Sequence, residues 1–154
     1  MKTLISDNFL SKKECDFLIN FYKQNEHNAF QFRDVFPLPL NINDQNIRFL
    51  ILKIKEALKF FNKKIDWFQI VKWPIGSHQK LHVDDASNKT TLSSIFYLND
   101  DFEGGQTYFK EGTIFKPKKG RALFFDGKYY THGVKEVKNK TRYVVAAWYK
   151  NNEN

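Results

Sequence analysis

Residues 92–109 read LSSIFYLNDDFEGGQTYF, and their pattern decides the fold class. Two runs rich in β-branched and aromatic residues, 92–98 and 106–109, flank Asn99–Gly105, a stretch made of turn-forming residues. Gly104 and Gly105 can take positive φ, so the spacing predicts a turn that reverses the first run into the second. No apolar period of helical length crosses the segment.

The same pattern extends outward. Runs at 67–73, 80–84, 113–116, 121–125, 130–134 and 142–149 are predicted strands, punctuated by Pro74–Gly76, Lys118–Gly120 and Asp126-Gly127. Upstream the period changes. Ser11-Lys-Lys-Glu14 has the form of a capping box, and Cys15, Leu18, Phe21 and Tyr22 follow at helical spacing to about Gln24. A second helix is predicted from Asp44 to Asn62, burying Ile47, Leu50, Ile51, Ile54, Leu58 and Phe61. Between them, Pro37 and Pro39 make residues 30–42 an extended segment or loop. Eight short strands after two helices predict an α+β, mainly β fold, a sandwich or barrel with the helices packed outside. One domain is expected over 1–154, with a helical part at 1–66 and a β core at 67–150.

Composition narrows the setting. A single cysteine, Cys15, offers no intramolecular disulfide, and Met1 to Leu10 is too polar for a signal peptide, so a cytoplasmic, reducing location is expected. No apolar run approaches the roughly 18–20 residues of a membrane span. The net charge is +8, and Phe115 to Arg142 holds nine Lys/Arg against Asp126 and Glu136. That segment is either a solvated lysine face or a contact for an anionic ligand or partner.

The chemistry centres on KLHVDDAS, residues 80–87. Side chains two apart on a strand face one way, so His82 and Asp84 can converge while Val83 turns into the core. His132, in YYTHGV, is the candidate third ligand: two imidazoles and one carboxylate with open positions suit a non-haem Fe(II) centre. Taken alone, a His-x-Asp pair is equally the mark of a solvent-facing polar pair. Arg142 shifts that balance, because in RYVVAAWY it shares a face with Val144, Ala146 and Trp148, and a buried guanidinium calls for an anionic partner. The bland alternatives are an arginine frayed into solvent, or one paired with Glu136 or Asp101. His27 and His78 read as surface residues, and Asp85 as pointing to the other face and bonding a turn.

His82-x-Asp84, His132 and Arg142, together with FYLNDDFEGGQTYF and GRALFFDG, resemble the Fe(II)- and 2-oxoglutarate-dependent dioxygenases of the prolyl 4-hydroxylase-like group, over about Phe68 to Tyr149. The resemblance implies a double-stranded β-helix, or jelly roll. It implies that His82, Asp84 and His132 hold Fe(II), that Arg142 binds the distal carboxylate of 2-oxoglutarate, and that Ser93 and Tyr97 point toward this cosubstrate. O2 is then the second cosubstrate, with succinate and CO2 released as a C–H bond of an amino acid, peptidyl (including prolyl) or small-molecule substrate is hydroxylated. Substrate choice is expected from residues 30–42, 74–80 and 85–91.

Some positions depart from the group or discriminate within it. Trp73 stands where many relatives carry a tyrosine, so a phenolic hydrogen bond to cosubstrate is expected to be absent, and Gln106 replaces a glutamate. The Asp84 carboxylate sets the chain apart from halogenating relatives. Trp148 replaces the second arginine of nucleic-acid dealkylating relatives, which disfavours nucleic acid as substrate. Two rival functions use the same residues: a zinc-dependent hydrolase on the His/Asp/His site, and a non-catalytic jelly-roll module that binds a polyanion.

Overall fold

The computed structural model describes residues 3–85 and 87–152, so the ends of the expected 1–154 domain and Ala86 of the 85–91 loop lie outside the described residues. In chain order the elements are β1 (Thr3–Ser6), α1 (Lys12–Gln24), β2 (Phe36–Pro39), α2 (Arg48–Leu58), β3 (Lys63–Trp73), β4 (Gln79–His82), β5 (Leu92–Tyr97), β6 (Glu103–Gly104), β7 (Thr107–Phe109), β8 (Ile114–Phe115), β9 (Ala122–Phe125), β10 (His132–Val134), β11 (Val137–Lys138) and β12 (Arg142–Asn151). All pairings are antiparallel. A large sheet runs β1-β9-β5-β12-β3-β2, a smaller one β4-β10-β7-β8, and β11 pairs with β6.

The predicted capping box starts α1: the Glu14 amide donates to Ser11 Oγ at 3.1 Å and the Ser11 amide to Glu14 Oε1 at 2.8 Å. The second helix is shorter than the predicted 44–62. Asp44 instead caps a 3-10 turn, Gln45–Ile47, which leads into α2. Past Leu58 the chain turns, with Phe60 exposed and Asn62 at φ 53°.

Alternation along the large sheet sets the layers. Tyr143, Val145, Ala147 and Tyr149 of β12 join Phe68 and Ile70 of β3 and Phe96 of β5 in one cluster with Leu18 and Tyr22 of α1 and Leu50 and Ile54 of α2. The helices therefore cover one face. The opposite face, with Val71, Trp73, Tyr97 and Val144, packs with Val134 of the smaller sheet and Val137. Both faces are buried, which is why RYVVAAWY reads as an almost unbroken apolar run.

Two expectations need correction. The segment 1–66 is not purely helical, because it contributes β1, β2 and the first residues of β3 to the large sheet. The extended reading of 30–42 holds at β2, where Pro37 and Pro39 fit because it is an edge strand and no outward N–H is required. Residues 99–105 do not reverse one strand onto its neighbour: β5 belongs to the large sheet and β7 to the smaller one, so the segment crosses between sheets. Gly104 does sit at φ 68°, but within β6 against Val137, where a Cβ would run into the Glu136 carbonyl.

Candidate active site

A cavity of about 420 Å³ opens between the two sheets. His82, the last residue of β4, and His132, the first of β10, are cross-strand partners, which brings their rings to 4.5 Å between centroids. Asp84 lies two residues beyond the end of β4, in a loop and not in a strand as expected. Val83 is half-buried and lines the cavity, so it does not turn into the core. The loop is held by the Asp84 amide, which donates to the Gly127 carbonyl at 2.8 Å. Gly127 is required to be small: a Cβ there would overlap Asp84 Oδ2 and Ser93 Oγ.

Ligand atoms of His82, Asp84 and His132 lie within 4.8 Å of one another. Asp84 Oδ1 is 3.4 Å from His82 Nε2 and 3.3 Å from His132 Nε2. On the far side of each ring, Nδ1 meets a backbone carbonyl at 2.8 Å, Lys80 for His82 and Tyr130 for His132. Those carbonyls accept from each Nδ1–H, so both Nε2 atoms face inward toward Asp84, the orientation that metal-binding histidines require. Burial works against ionisation of Asp84, but hydrogen bonds from His132, His82 and Ser93 outweigh it and hold the carboxyl well below the usual carboxylate range. Burial also opposes charge on His82, yet Asp84 raises its pKa. The set is a carboxylate between two imidazoles, three donors on one side of a point.

Ser93 lines this cavity, but its hydroxyl donates to Asp84 Oδ2 at 2.7 Å and so orients the carboxylate. Tyr97 lies deeper. Its hydroxyl is 2.7 Å from Thr107 Oγ1, and its ring lies 5.5 Å from the Arg142 guanidinium carbon.

Arg142 is neither frayed nor paired with Glu136 or Asp101: it is fully buried, Asp101 faces Lys140, and Nε and Nη2 have no hydrogen-bond partner. Its guanidinium carbon sits 4.7 Å from the centre of the Trp73 ring, its cross-strand partner. Burial lowers the Arg142 pKa from its ordinary value, with Tyr97 acting against the fall. From Arg142 the cavity floor follows β12 through Val144 and Ala146 to Trp148, which stacks on Trp67 at 3.8 Å. Phe30 and Phe32, each about half exposed, form the rim.

The chain matches the family model of the 2OG-Fe(II) oxygenase superfamily over residues 68–150. It belongs to that superfamily. Prolyl 3-hydroxylase 2 of Rattus norvegicus and of Homo sapiens are each 42% identical to it over 64 residues, an alignment covering 37% of this chain and only 9% of theirs. The fold of this superfamily member superimposes on the viral collagen prolyl hydroxylase of Paramecium Bursaria Chlorella virus-1, in complex with 2OG, with a TM-score of 0.80, 24% identity, and 99% and 97% of the two chains covered. A Trichoplax adhaerens prolyl hydroxylase in complex with a hypoxia inducible factor peptide fragment gives a TM-score of 0.80 at 18% identity, covering 97% and 83%. The jelly-roll expectation therefore stands, as a double-stranded β-helix.

The superfamily uses Fe(II), 2-oxoglutarate and O2, and the residues present fit them. Two neutral imidazoles and a carboxylate suit Fe(II), and a buried cation without a counter-charge suits a dicarboxylate. Other features missed from sequence are Gly127, whose DG pair signals only a turn, and the Trp67–Trp148 stack. Asp85 sits on the rim of the cavity and not on the other face. The basic segment is broken up by ion pairs: Lys118 and Arg121 with Asp7, Lys119 with Asp16, Lys140 with Asp101. Among the described residues no helix is long and apolar enough to cross a membrane.

Proposed function

We propose that this chain is a 2-oxoglutarate-dependent hydroxylase of a peptidyl substrate, with a proline ring as the target, working as one catalytic domain in a reducing, cytoplasmic setting. His82, Asp84 and His132 would hold Fe(II), and Arg142 would hold the distal carboxylate of 2-oxoglutarate. When bound, these groups supply an oxidation in which O2 and 2-oxoglutarate give succinate and CO2 and a substrate C–H becomes C–OH. The chain's own part is placement. Lys80 and Tyr130 carbonyls aim the imidazoles and Ser93 aims the carboxylate. Val71, Val144 and Ala146 keep the path between the triad and Arg142 apolar.

The observation that carries this reading is the shape of the floor. From Arg142 to Trp148 it runs about 20 Å at strand rise, longer than a five-carbon diacid, and beside the triad, level with Ser93, it ends in aromatic surface that suits a pyrrolidine ring and its flanking chain. The relatives and neighbours named as prolyl hydroxylases support proline. Fe(II)-loaded protein with 2-oxoglutarate should release succinate and add one oxygen, by mass, to a collagen-like or other proline-rich peptide and not to free proline. Succinate release coupled only to free amino acids would sink the peptidyl reading. Peptide turnover with no need of 2-oxoglutarate would point to the hydrolase instead.

A further inference from the structure

Among the described residues, three buried side-chain nitrogens have no hydrogen-bond partner: Arg142 Nε, Arg142 Nη2 and Trp73 Nε1. All three are donors, and both residues line the same end of the cavity. They are register partners across β3 and β12, with the guanidinium over the indole face. Leaving one such donor unmet is costly, and three together in one place describe a missing acceptor. Nearby oxygens do not supply it. The Tyr97 hydroxyl, which bonds Thr107 and also reaches the guanidinium, still leaves Nε and Nη2 unmet, and the Asp84 carboxylate is engaged with Ser93 and the two imidazoles.

We propose that the Trp73 indole N–H donates a hydrogen bond to the same carboxylate that Arg142 holds. A carboxylate accepts about four hydrogen bonds through its two oxygens, so a guanidinium edge and one indole N–H can share it. Trp73 then acts as a positioning residue in two ways, its π-face steadying the cation and its edge fixing the orientation of the acid. An indole donates without ionising and cannot accept, so it selects for an anion over a hydroxyl or amide donor at that end. The inference rests on the cosubstrate reading above.

Zn(II)-loaded protein with 15N-labelled indoles gives a spectrum in which the three tryptophans, Trp67, Trp73 and Trp148, are assigned by single Trp→Phe variants. Adding 2-oxoglutarate should move the Trp73 N–H downfield and slow its exchange with water. Trp73→Phe keeps an apolar ring and should bind 2-oxoglutarate roughly tenfold more weakly, the loss of one charge-assisted hydrogen bond. Pyruvate, which has the 2-oxo acid head but no distal carboxylate, should bind variant and wild type alike. An unmoved Trp73 resonance with 2-oxoglutarate bound, or equal weakening of both ligands, overturns the proposal while leaving the cosubstrate in place. Absence of 2-oxoglutarate binding to the wild type overturns both.

Discussion

At the triad end of the cavity the polar groups are partnered within the chain: Asp84 by two imidazoles and Ser93, each imidazole by a backbone carbonyl. At the other end a cation and an indole N–H are sealed among apolar side chains with donors unmet. The first arrangement is internally partnered as it stands, with three ligand atoms grouped to take a cation. The second is incomplete without an anion, so it stores a cost that ligand binding relieves. Two sites on one floor thus differ in how much the folded chain depends on what they bind.

Breaking the matched end should have the largest effect. Asp84→Ala removes the carboxylate of the triad, and succinate formation is expected to fall below detection while the thermal melt stays cooperative; turnover at the wild-type rate would show that another group ligates the metal. Gly127→Ala is expected to cost about 10–100-fold in Fe(II) affinity, because its methyl group displaces Asp84 and Ser93 together. An anaerobic titration followed by the charge-transfer band reads this directly, and an unchanged midpoint would mean that the 84–93 loop yields freely.

The incomplete end predicts the opposite sign. Arg142→Met should melt higher than wild type in the absence of ligand, since an apolar chain replaces an uncompensated buried charge. It should also lose the stabilisation that 2-oxoglutarate gives the wild type, about 2.7 kcal/mol at a hundred times Kd. A lower melt for the ligand-free variant would show that the guanidinium is satisfied after all. Ser11→Ala, remote from both ends, should cost about 0.5–2 kcal/mol by loss of the cap, with turnover per folded molecule unchanged.

Much of this was legible in the chain because local rules decide it. The capping box, the central strands and the alternation in RYVVAAWY all follow from spacing. What was not legible depends on partners far apart in sequence. Residues 99–105 carry the same turn chemistry whether they close a hairpin or cross between sheets. β6 and β11 are two residues each, too short for any period. Ser93 reaches Asp84 only because the loop after β4 folds back over β5. Trp73 signals from sequence only the absence of a phenol; its register with Arg142, which sets the indole against the guanidinium, is a cross-strand fact. The unpaired state of Arg142 is a statement about everything around it, which no window of sequence contains.

Alternation on β12 also bears on how the cavity could be re-engineered. Residues 143, 145, 147 and 149 belong to the helix-facing layer, while 142, 144, 146 and 148 line the cavity. Ala146 is the smallest of the latter and lies midway along the floor, so enlarging it to Val or Leu would shorten the channel as a stop shortens a drawer. The cavity can therefore be reshaped at one position without repacking the layer that keeps the domain folded.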